Sequence, residues 1–180
     1  MALLLAMLRT LVQDDLPPAA LMERLNRLVY EQTHGSRFIT MFLGLFDPAT
    51  GELTYVNAGQ TPPLRLRGSQ TERLLTGGIA LGMFDAATYD VTRCSVAEGD
   101  LILMYSDGIT EAERADGTPF DEEGLAGFLR SCQMTPIEQI GPRLFDAVAT
   151  YTQNTKFADD LTVLAFRRQP GDALENADAS

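Results

Sequence analysis

Two continuous apolar runs, each bordered by aspartate, stand out in the pattern of hydrophobic and polar positions along this chain. Leu101–Tyr105 leads directly into Ser106–Gly108, and Leu161–Phe166 follows Asp159 and Asp160. Uninterrupted runs of this length are typical of strands that are buried on both faces. A carboxylate at the end of such a strand costs free energy unless it is hydrogen-bonded or bound to a cation. The pattern therefore predicts two buried strands whose ends carry acids that need partners.

The rest of the pattern predicts helices and further strands around these two runs. Apolar residues recur at helical spacing after Pro18 and after Pro136, and proline suits the first turn of a helix. The predicted helices cover Met1–Val12, Pro18–Glu31, Asp121–Cys132 and Pro136–Tyr151. The predicted strands are Phe38–Phe46, expected to be buried, Leu53–Asn57, Tyr89–Val96, and two edge strands, Pro62–Arg67 and Glu72–Leu75.

Several polar or small residues between these elements have local interpretations. Asp100 follows a glycine and is predicted to be a turn acid, and Gly77–Gly82 is predicted to be a loop. Asp121 is expected to cap the helix that it begins. Thr135 and Glu138 are expected to form a capping box at the start of the next helix.

The neighbouring acids Asp159 and Asp160 point to a bound cation, because two adjacent carboxylates at a strand start are unfavourable without a counter-charge. Successive strand side chains point to opposite faces, so only one of the pair easily points to the same place as Asp107. Mg²⁺ and Mn²⁺ take carboxylate and water oxygens as ligands. The alternative for Asp107 is a simple turn, because Asp-Gly is among the commonest turn dipeptides.

Composition narrows the possible functions. The chain has 180 residues, which fits one domain, and 14 basic against 25 acidic residues give a formal charge of -11. This charge argues against binding to nucleic acid or to an anionic membrane. Cys94 and Cys132 lack metal or redox spacing, which favours a reducing cytoplasm. His34 is the single histidine, so a zinc site built from several histidines is excluded. No stretch reaches the length of a membrane span.

Four motifs together resemble the metal-dependent protein serine/threonine phosphatases of the PPM superfamily. The most similar branch is the bacterial one typified by the stage II sporulation phosphatase and the RsbU-type regulators. Ser106 stands where that branch has threonine, and Gln60 stands where it has histidine. The motifs are V-N-A-G-Q-T-P-P (Val56–Pro63), V-A-E-G-D-L-I-L-M-Y (Val96–Tyr105), Y-S-D-G-I-T-E-A (Tyr105–Ala112) and A-D-D-L-T-V-L (Ala158–Leu164).

The order of the predicted elements suggests one α+β domain over residues 1–168, and the polar, acidic composition after it predicts a flexible tail over 169–180. The resemblance implies an antiparallel β-sandwich flanked by helices. It also implies hydrolysis of phosphoserine or phosphothreonine by water that two Mn²⁺ or Mg²⁺ ions activate. Asp107 and Asp159 match metal ligands of the family. Asp160, Gly108 and Glu111 are expected to support the ligands from behind. Asn57 and Gln60 are interpreted as structural loop formers.

The N-terminal acidic motifs of the family, G-D-x-x-D and G-D-V-S-G-H-G, have no counterpart before Met1, so the domain is expected to be N-terminally truncated. The leading hypothesis is a phosphatase domain that is weak or inactive alone. The alternative is a non-catalytic regulatory or interaction module with an incomplete metal site. A plain α+β binding domain leaves the paired aspartate motifs unexplained.

The resemblance further implies a cytoplasmic phosphoprotein substrate such as an anti-sigma-factor antagonist, with a sensor domain upstream in a longer protein. No nucleic acid and no membrane are expected as partners. Missing first strands would leave an unpaired sheet edge, which favours self-association as a homodimer.

Overall fold

The chain divides into two compact units in the computed structural model, which describes residues 7–8, 16–153 and 159–169. The first unit is Met1–Pro62 with Leu74–Ser95, and the second is Pro63–Arg73 with Val96–Ser180. In chain order the elements are α1 (Pro18–Thr33), β1 (Met41–Asp47), β2 (Glu52–Ala58), β3 (Leu64–Arg67), β4 (Gln70–Arg73), β5 (Gly77–Gly78), β6 (Thr92–Ser95), β7 (Leu101–Tyr105), α2 (Asp107–Thr110), α3 (Asp121–Ser131), α4 (Ile137–Tyr151) and β8 (Val163–Arg167).

The helix of the first unit forms where the pattern predicts it. Pro18 occupies the first helical position, where its missing N–H does no harm. Leu21, Leu25 and Val29 face one apolar cluster with Val56 of β2. Fully burying each such side chain contributes roughly 1.5–3 kcal/mol. Of the helix predicted over Met1–Val12, only residues 7 and 8 are described; they are helical and pack partly buried against this cluster.

The first unit's sheet has β2 at its centre. β1 and β6 pair with β2 antiparallel, and β5 pairs with it parallel. The prediction of a buried strand over Phe38–Phe46 is wrong in part: the strand begins at Met41, and Leu45 is 52% exposed. The reason is that an apolar run shows neither where a strand begins nor how many of its faces are covered. In the described sheet β1 is also an edge strand. Self-association through such an edge stays a prediction.

Gly77 and Gly78 form a short strand rather than the predicted loop. A Cβ on Gly77 would lie 1.8 Å from the carbonyl oxygen of Asn57. Only glycine therefore allows β5 to approach β2 this closely. The sequence pattern missed the strand because two glycines carry no hydrophobic signal.

The second unit's sheet has the order β4-β3-β7-β8, with all neighbours antiparallel. β7 is buried as predicted. β3 was expected at an edge but lies between β4 and β7, whereas β4 is the edge strand. Helix α3 contacts β3 and β4, and α4 contacts β8, so the α+β fold class with helices flanking antiparallel sheets is confirmed.

Local capping signals were only partly reliable. Asp121 caps α3 as predicted, since its Oδ1 accepts the N–H of Gly124 at 2.8 Å. The capping box of Thr135 and Glu138 is wrong, because α4 begins after Pro136 without a side-chain cap. Thr135 is buried instead, and its Oγ1 accepts a hydrogen bond from Arg143 at 3.3 Å.

Asp100 is more than the predicted turn acid. It is buried at the start of β7, where its carboxylate accepts hydrogen bonds from Nε and Nη2 of Arg67 and from the N–H of Ala97. The Asp100 carboxylate thus ties β3 to the turn before β7. The acidic tail predicted from residue 169 falls outside the described residues except for Gln169. Within the described part of the chain, no helix combines the length and apolar character that crossing a bilayer requires.

Candidate functional site

The two aspartate motifs lie at neighbouring strand ends of the second unit. Asp107 begins α2 directly after Ser106 at the end of β7. Asp159 precedes β8, and β8 pairs antiparallel with β7 so that Val163 lies opposite Tyr105. The end of one strand therefore lies beside the start of the other, although the two aspartates are far apart in sequence.

Ser106 bonds the two segments together directly. Its N–H donates to the carbonyl oxygen of Thr162 at 3.0 Å. Its hydroxyl donates to the carbonyl oxygen of Asp160 at 2.9 Å and accepts the N–H of Thr162 at 2.9 Å. In the sequence, Ser106 is distinctive only as the counterpart of a threonine in the family motif, and both residues carry the hydroxyl that makes these bonds.

Gly108 allows the segments to pack closely. A Cβ at this position would lie 2.8 Å from the carbonyl oxygen of Asp160 and 3.4 Å from the Cβ of Asp159. The first distance is shorter than real Cβ contacts, so the absence of a side chain is required. The main chain around Asp107 is thus held against the main chain around Asp159.

Both candidate ligands present open carboxylates. Oδ1 of Asp107 accepts the N–H of Gly108 at 3.0 Å, and Oδ1 of Asp159 accepts the N–H of Asp160 at 2.7 Å. Both side chains are exposed, and within the described residues no basic side chain forms an ion pair with either one. A carboxylate has about four lone-pair sites. Each of these groups therefore retains acceptor capacity for a cation.

Asp160 and Glu111 contribute mainly through their main chains. The Asp160 carbonyl accepts the Ser106 hydroxyl, while its side chain is exposed. The N–H of Glu111 donates to the carbonyl oxygen of Asp107 at 2.9 Å and closes the single turn of α2. The structure thus brings Asp160 and Gly108 against the facing segment and leaves the Glu111 side chain exposed.

The donor set suits a hard divalent ion in type but is short in number. Carboxylate oxygens are the ligands that Mn²⁺ and Mg²⁺ prefer. Among residues 7–8, 16–153 and 159–169, no three or more His, Cys, Asp or Glu side chains form a group that could hold a metal ion. Asp107 and Asp159 therefore fit part of a coordination shell whose other positions must come from water or from other ligands.

The strand that leads to Asp107 ends in a buried tyrosine, Tyr105. Burial raises the pKa of Tyr105 to about 12, and the charge of Glu122 adds to the increase. The phenol at the end of β7 therefore keeps its proton further into the alkaline range than an exposed tyrosine does.

In the Val56–Pro63 motif, the polar side chains are taken up by hydrogen bonds within the protein. Asn57 is buried, its Nδ2 donates to the carbonyl oxygens of Gln60 and Leu74, and its Oδ1 accepts the N–H of Gln60 at 2.8 Å. Gln60 Oε1 accepts the hydroxyl of Thr40 at 2.8 Å. Both side chains stabilise a loop of the first unit, as the sequence interpretation states.

The sequence matches the family described as Stage II sporulation protein E (SpoIIE) over residues 1–169. The chain belongs to this family. It is 25% identical over 164 residues to the phosphoserine phosphatase RsbU of Bacillus subtilis (strain 168), a match that covers 89% of this chain and 48% of that protein. The chain thus spans about half the length of this relative.

Solved structures of similar proteins agree with the SpoIIE family fold. The RsbU and RsbW domains of Rv1364c from Mycobacterium tuberculosis match with a TM-score of 0.71 and 28% identity, over 94% of this chain and 47% of that one. The catalytic domain of the serine/threonine protein phosphatase PstP, solved in complex with 2 manganese ions, matches with a TM-score of 0.63 and 18% identity, over 91% of this chain and 78% of that one. At that identity the PstP likeness shows the fold alone.

Proposed function

We propose that this chain forms the phosphatase region of a metal-dependent enzyme that hydrolyses phosphoserine or phosphothreonine on a regulatory protein. The observation that carries the proposal is the packing of the Asp107 and Asp159 segments at one end of the second sheet, with both carboxylates open. Membership of the SpoIIE family and the likeness to a phosphoserine phosphatase support the same reaction.

Asp107 and Asp159 would hold Mn²⁺ or Mg²⁺ through their free oxygen lone pairs. A bound ion of this kind supplies Lewis-acid polarisation of a phosphoryl oxygen and lowers the pKa of a water nucleophile. The contribution of the chain itself is positional: the β7–β8 pairing and Ser106 hold the two acids at neighbouring strand ends. Because both carboxylates are exposed, a phosphorylated side chain on the surface of a folded protein can approach them.

The proposed substrate is a cytoplasmic phosphoprotein, such as an anti-sigma-factor antagonist. The likeness to RsbU supports this class, and the Rv1364c structure shows an RsbU domain and an RsbW domain in one protein. A longer protein with a sensor domain would fit the limited share of the RsbU relative that this chain spans. The formal charge of -11 argues against nucleic acid as a partner.

Release of phosphate from a phosphoserine peptide in the presence of Mn²⁺ tests the proposal, and it is measured on a protein extended upstream of these residues, because the 180 residues alone are expected to be weak or inactive. We expect Asp159→Asn to lower turnover on the order of a hundredfold, because it removes a charged ligand from the metal shell. Glu138→Gln is the matched control, since it removes an exposed carboxylate at the start of α4. Equal turnover by wild type, Asp159→Asn and Glu138→Gln, or turnover that survives chelation of all metal, would contradict the assignment.

A non-catalytic module is the second candidate, and one observation favours it. The described residues contain no cluster of three or more potential metal ligands. For such a module we expect Mn²⁺ to bind weakly and no phosphate to be released above the rate without protein. Turnover that requires Asp107 and Asp159 would exclude this alternative.

A further inference from the structure

The hydroxyl of Ser106 replaces a main-chain carbonyl in the β7–β8 ladder. In the hydrogen-bonded pairs of a regular antiparallel ladder, which alternate with non-hydrogen-bonded pairs, two opposing residues exchange both N–H···O bonds. Ser106 and Thr162 make only one of these, from the Ser106 N–H to the Thr162 carbonyl. The Thr162 N–H goes to the Ser106 hydroxyl instead, at 2.9 Å. The hydroxyl therefore satisfies a donor that the strand end would otherwise leave unpaired.

This replacement frees the Ser106 carbonyl to begin the helix. The carbonyl oxygen accepts the N–H of Ile109 at 3.1 Å and starts the turn of α2. Ser106 is in the N-cap position with extended backbone angles, yet its side chain makes no capping bond to the helix. Serine at an N-cap commonly bonds the helix N–H groups. Here the hydroxyl bonds the Asp159 segment instead, so it links two segments rather than capping the helix.

The proton of the hydroxyl completes the link. A serine hydroxyl can donate one hydrogen bond and accept others. Ser106 uses both functions on one opposing stretch, donating to the Asp160 carbonyl and accepting from Thr162. The Asp160 carbonyl is also the atom that excludes a side chain at Gly108. The hydrogen bond from Ser106 and the close contact at Gly108 thus both restrict the position of the Asp160 carbonyl.

We propose that Ser106 is a positioning residue that sets the separation of the Asp107 and Asp159 carboxylates and so their affinity for a divalent ion. The inference rests on the proposed function, because it assumes that these carboxylates share an ion. Ser106 itself does not need to touch the ion. Side chains that orient ligands from behind commonly change metal affinity by about 10- to 100-fold.

Mn²⁺ binding to the full chain, measured by calorimetry, tests the proposal without relying on turnover. We expect Ser106→Ala to raise the Mn²⁺ dissociation constant about tenfold, and Ser106→Thr to restore it to within roughly twofold of wild type, because threonine keeps the hydroxyl. Ser131→Ala is the matched control. Its hydroxyl donates to the carbonyl oxygen of Phe128 at 2.6 Å, within its own helix.

The outcomes separate this inference from the proposed function. If wild type binds Mn²⁺ and Asp107→Asn does not, the metal site stands; an unchanged affinity in Ser106→Ala then overturns the role of Ser106 alone. If wild type binds no Mn²⁺, the proposed function fails and the inference fails with it. Weakened binding in Ser106→Ala that threonine does not restore would indicate general damage rather than loss of the hydroxyl.

A measurement on wild type covers the case in which Ser106→Ala does not fold. Linkage is reciprocal, so an ion that binds more tightly to the bonded arrangement must also stabilise that arrangement. We expect Mn²⁺ to slow hydrogen exchange in the peptide that contains the Thr162 N–H, with no change around the Ser131 control. Exchange at Thr162 that Mn²⁺ leaves unchanged would overturn the proposal.

Discussion

The two ends of strand β7 each carry an aspartate, and the two aspartates have opposite surroundings. Asp100, before the strand, is 3% exposed and accepts hydrogen bonds from Arg67 and from the Ala97 N–H. Asp107, after the strand, is exposed and accepts only the neighbouring Gly108 N–H among the described contacts. The same side chain is therefore fully paired at one end and open at the other.

The difference shows why residue type and local sequence cannot assign a role. Both aspartates adjoin a glycine and lie near an end of the same apolar run, and both are candidates for turn residues. The difference between them comes from Arg67, which pairs with Asp100 but not with Asp107. Arg67 lies on β3 and reaches Asp100 only because β3 pairs with β7. A carboxylate paired in this way stabilises the fold, whereas an unpaired carboxylate at a strand end is available for a ligand.

The largest effect expected is on activity, at the open end. Asp107→Asn should lower phosphatase turnover by about 10²- to 10³-fold, because the amide lacks the charge that binds a divalent ion. The unfolding temperature should stay within about 2 °C of wild type, since substitutions of exposed, unpaired groups cost little. Turnover and thermal unfolding of the same preparation check both parts. A large loss of stability would show that Asp107 is a structural turn residue and would remove the contrast.

The same chemical change at the paired end should act on stability. Asp100→Asn weakens the charged hydrogen bonds from Arg67, which can partly rehydrate because its side chain is 45% exposed. We expect a loss of about 2 kcal/mol in the free energy of unfolding, from the usual value of hydrogen bonds to charged groups. Urea unfolding measures it, and turnover per folded molecule should be unchanged. If Asp100→Asn removed activity and kept stability, the roles of the two ends would be reversed.

The smallest effect expected concerns the strand between these ends, at alkaline pH. Burial raises the pKa of Tyr105 from 10.0 to about 12, so the folded state keeps the phenol proton that the unfolded state loses. The resulting stabilisation is fully present below pH 10 and is lost as the pH rises through 12. Tyr105→Phe should therefore reduce the decrease in the urea midpoint over this interval.

Tyr89 supplies a comparison for the alkaline measurement within the first unit. Its pKa is also raised to about 12 by burial, with a further contribution from Glu23, and its hydroxyl donates to Oδ1 of Asn26. Tyr89→Phe should reduce the alkaline decrease as well, but at neutral pH it also removes this hydrogen bond. An identical pH dependence in wild type and both variants would contradict the buried, neutral state of the two phenols.

Local patterns predicted the parts of the fold that depend on local physics. Pro18 with leucines at helical spacing predicted α1, and the apolar run Leu101–Tyr105 predicted β7 with its residue bounds. Both signals work because a helix buried on one face has apolar residues at helical spacing, and a strand buried on both faces is a continuous apolar run. The α+β class and the family resemblance followed from these elements and from the four motifs.

The missed features depend on contacts between distant segments. Thr135 has the spacing of a capping box, but its side chain accepts a bond from Arg143 and its carbonyl accepts one from Arg167. The role of Ser106 becomes visible only when β7 and β8 are paired in register. Asp107 and Asp159 could be named as candidate ligands from the sequence. The packing of their segments and the free acceptor capacity of their carboxylates become visible only in the structure.

The way the strands are divided between the two sheets also sets the order in which the sheets can form during synthesis. The described strands of the first unit's sheet all end by Ser95, while the sheet of the second unit includes β8, which ends at Arg167. Chains are made from the N-terminus and their compact parts fold in that order. The first sheet can therefore form on the ribosome while β7, which can already pair with β3, still lacks β8. The Asp107 segment gains the Asp159 segment as its neighbour only after residues 159–167 have been made. On the proposed function, phosphatase activity would therefore appear only late in synthesis.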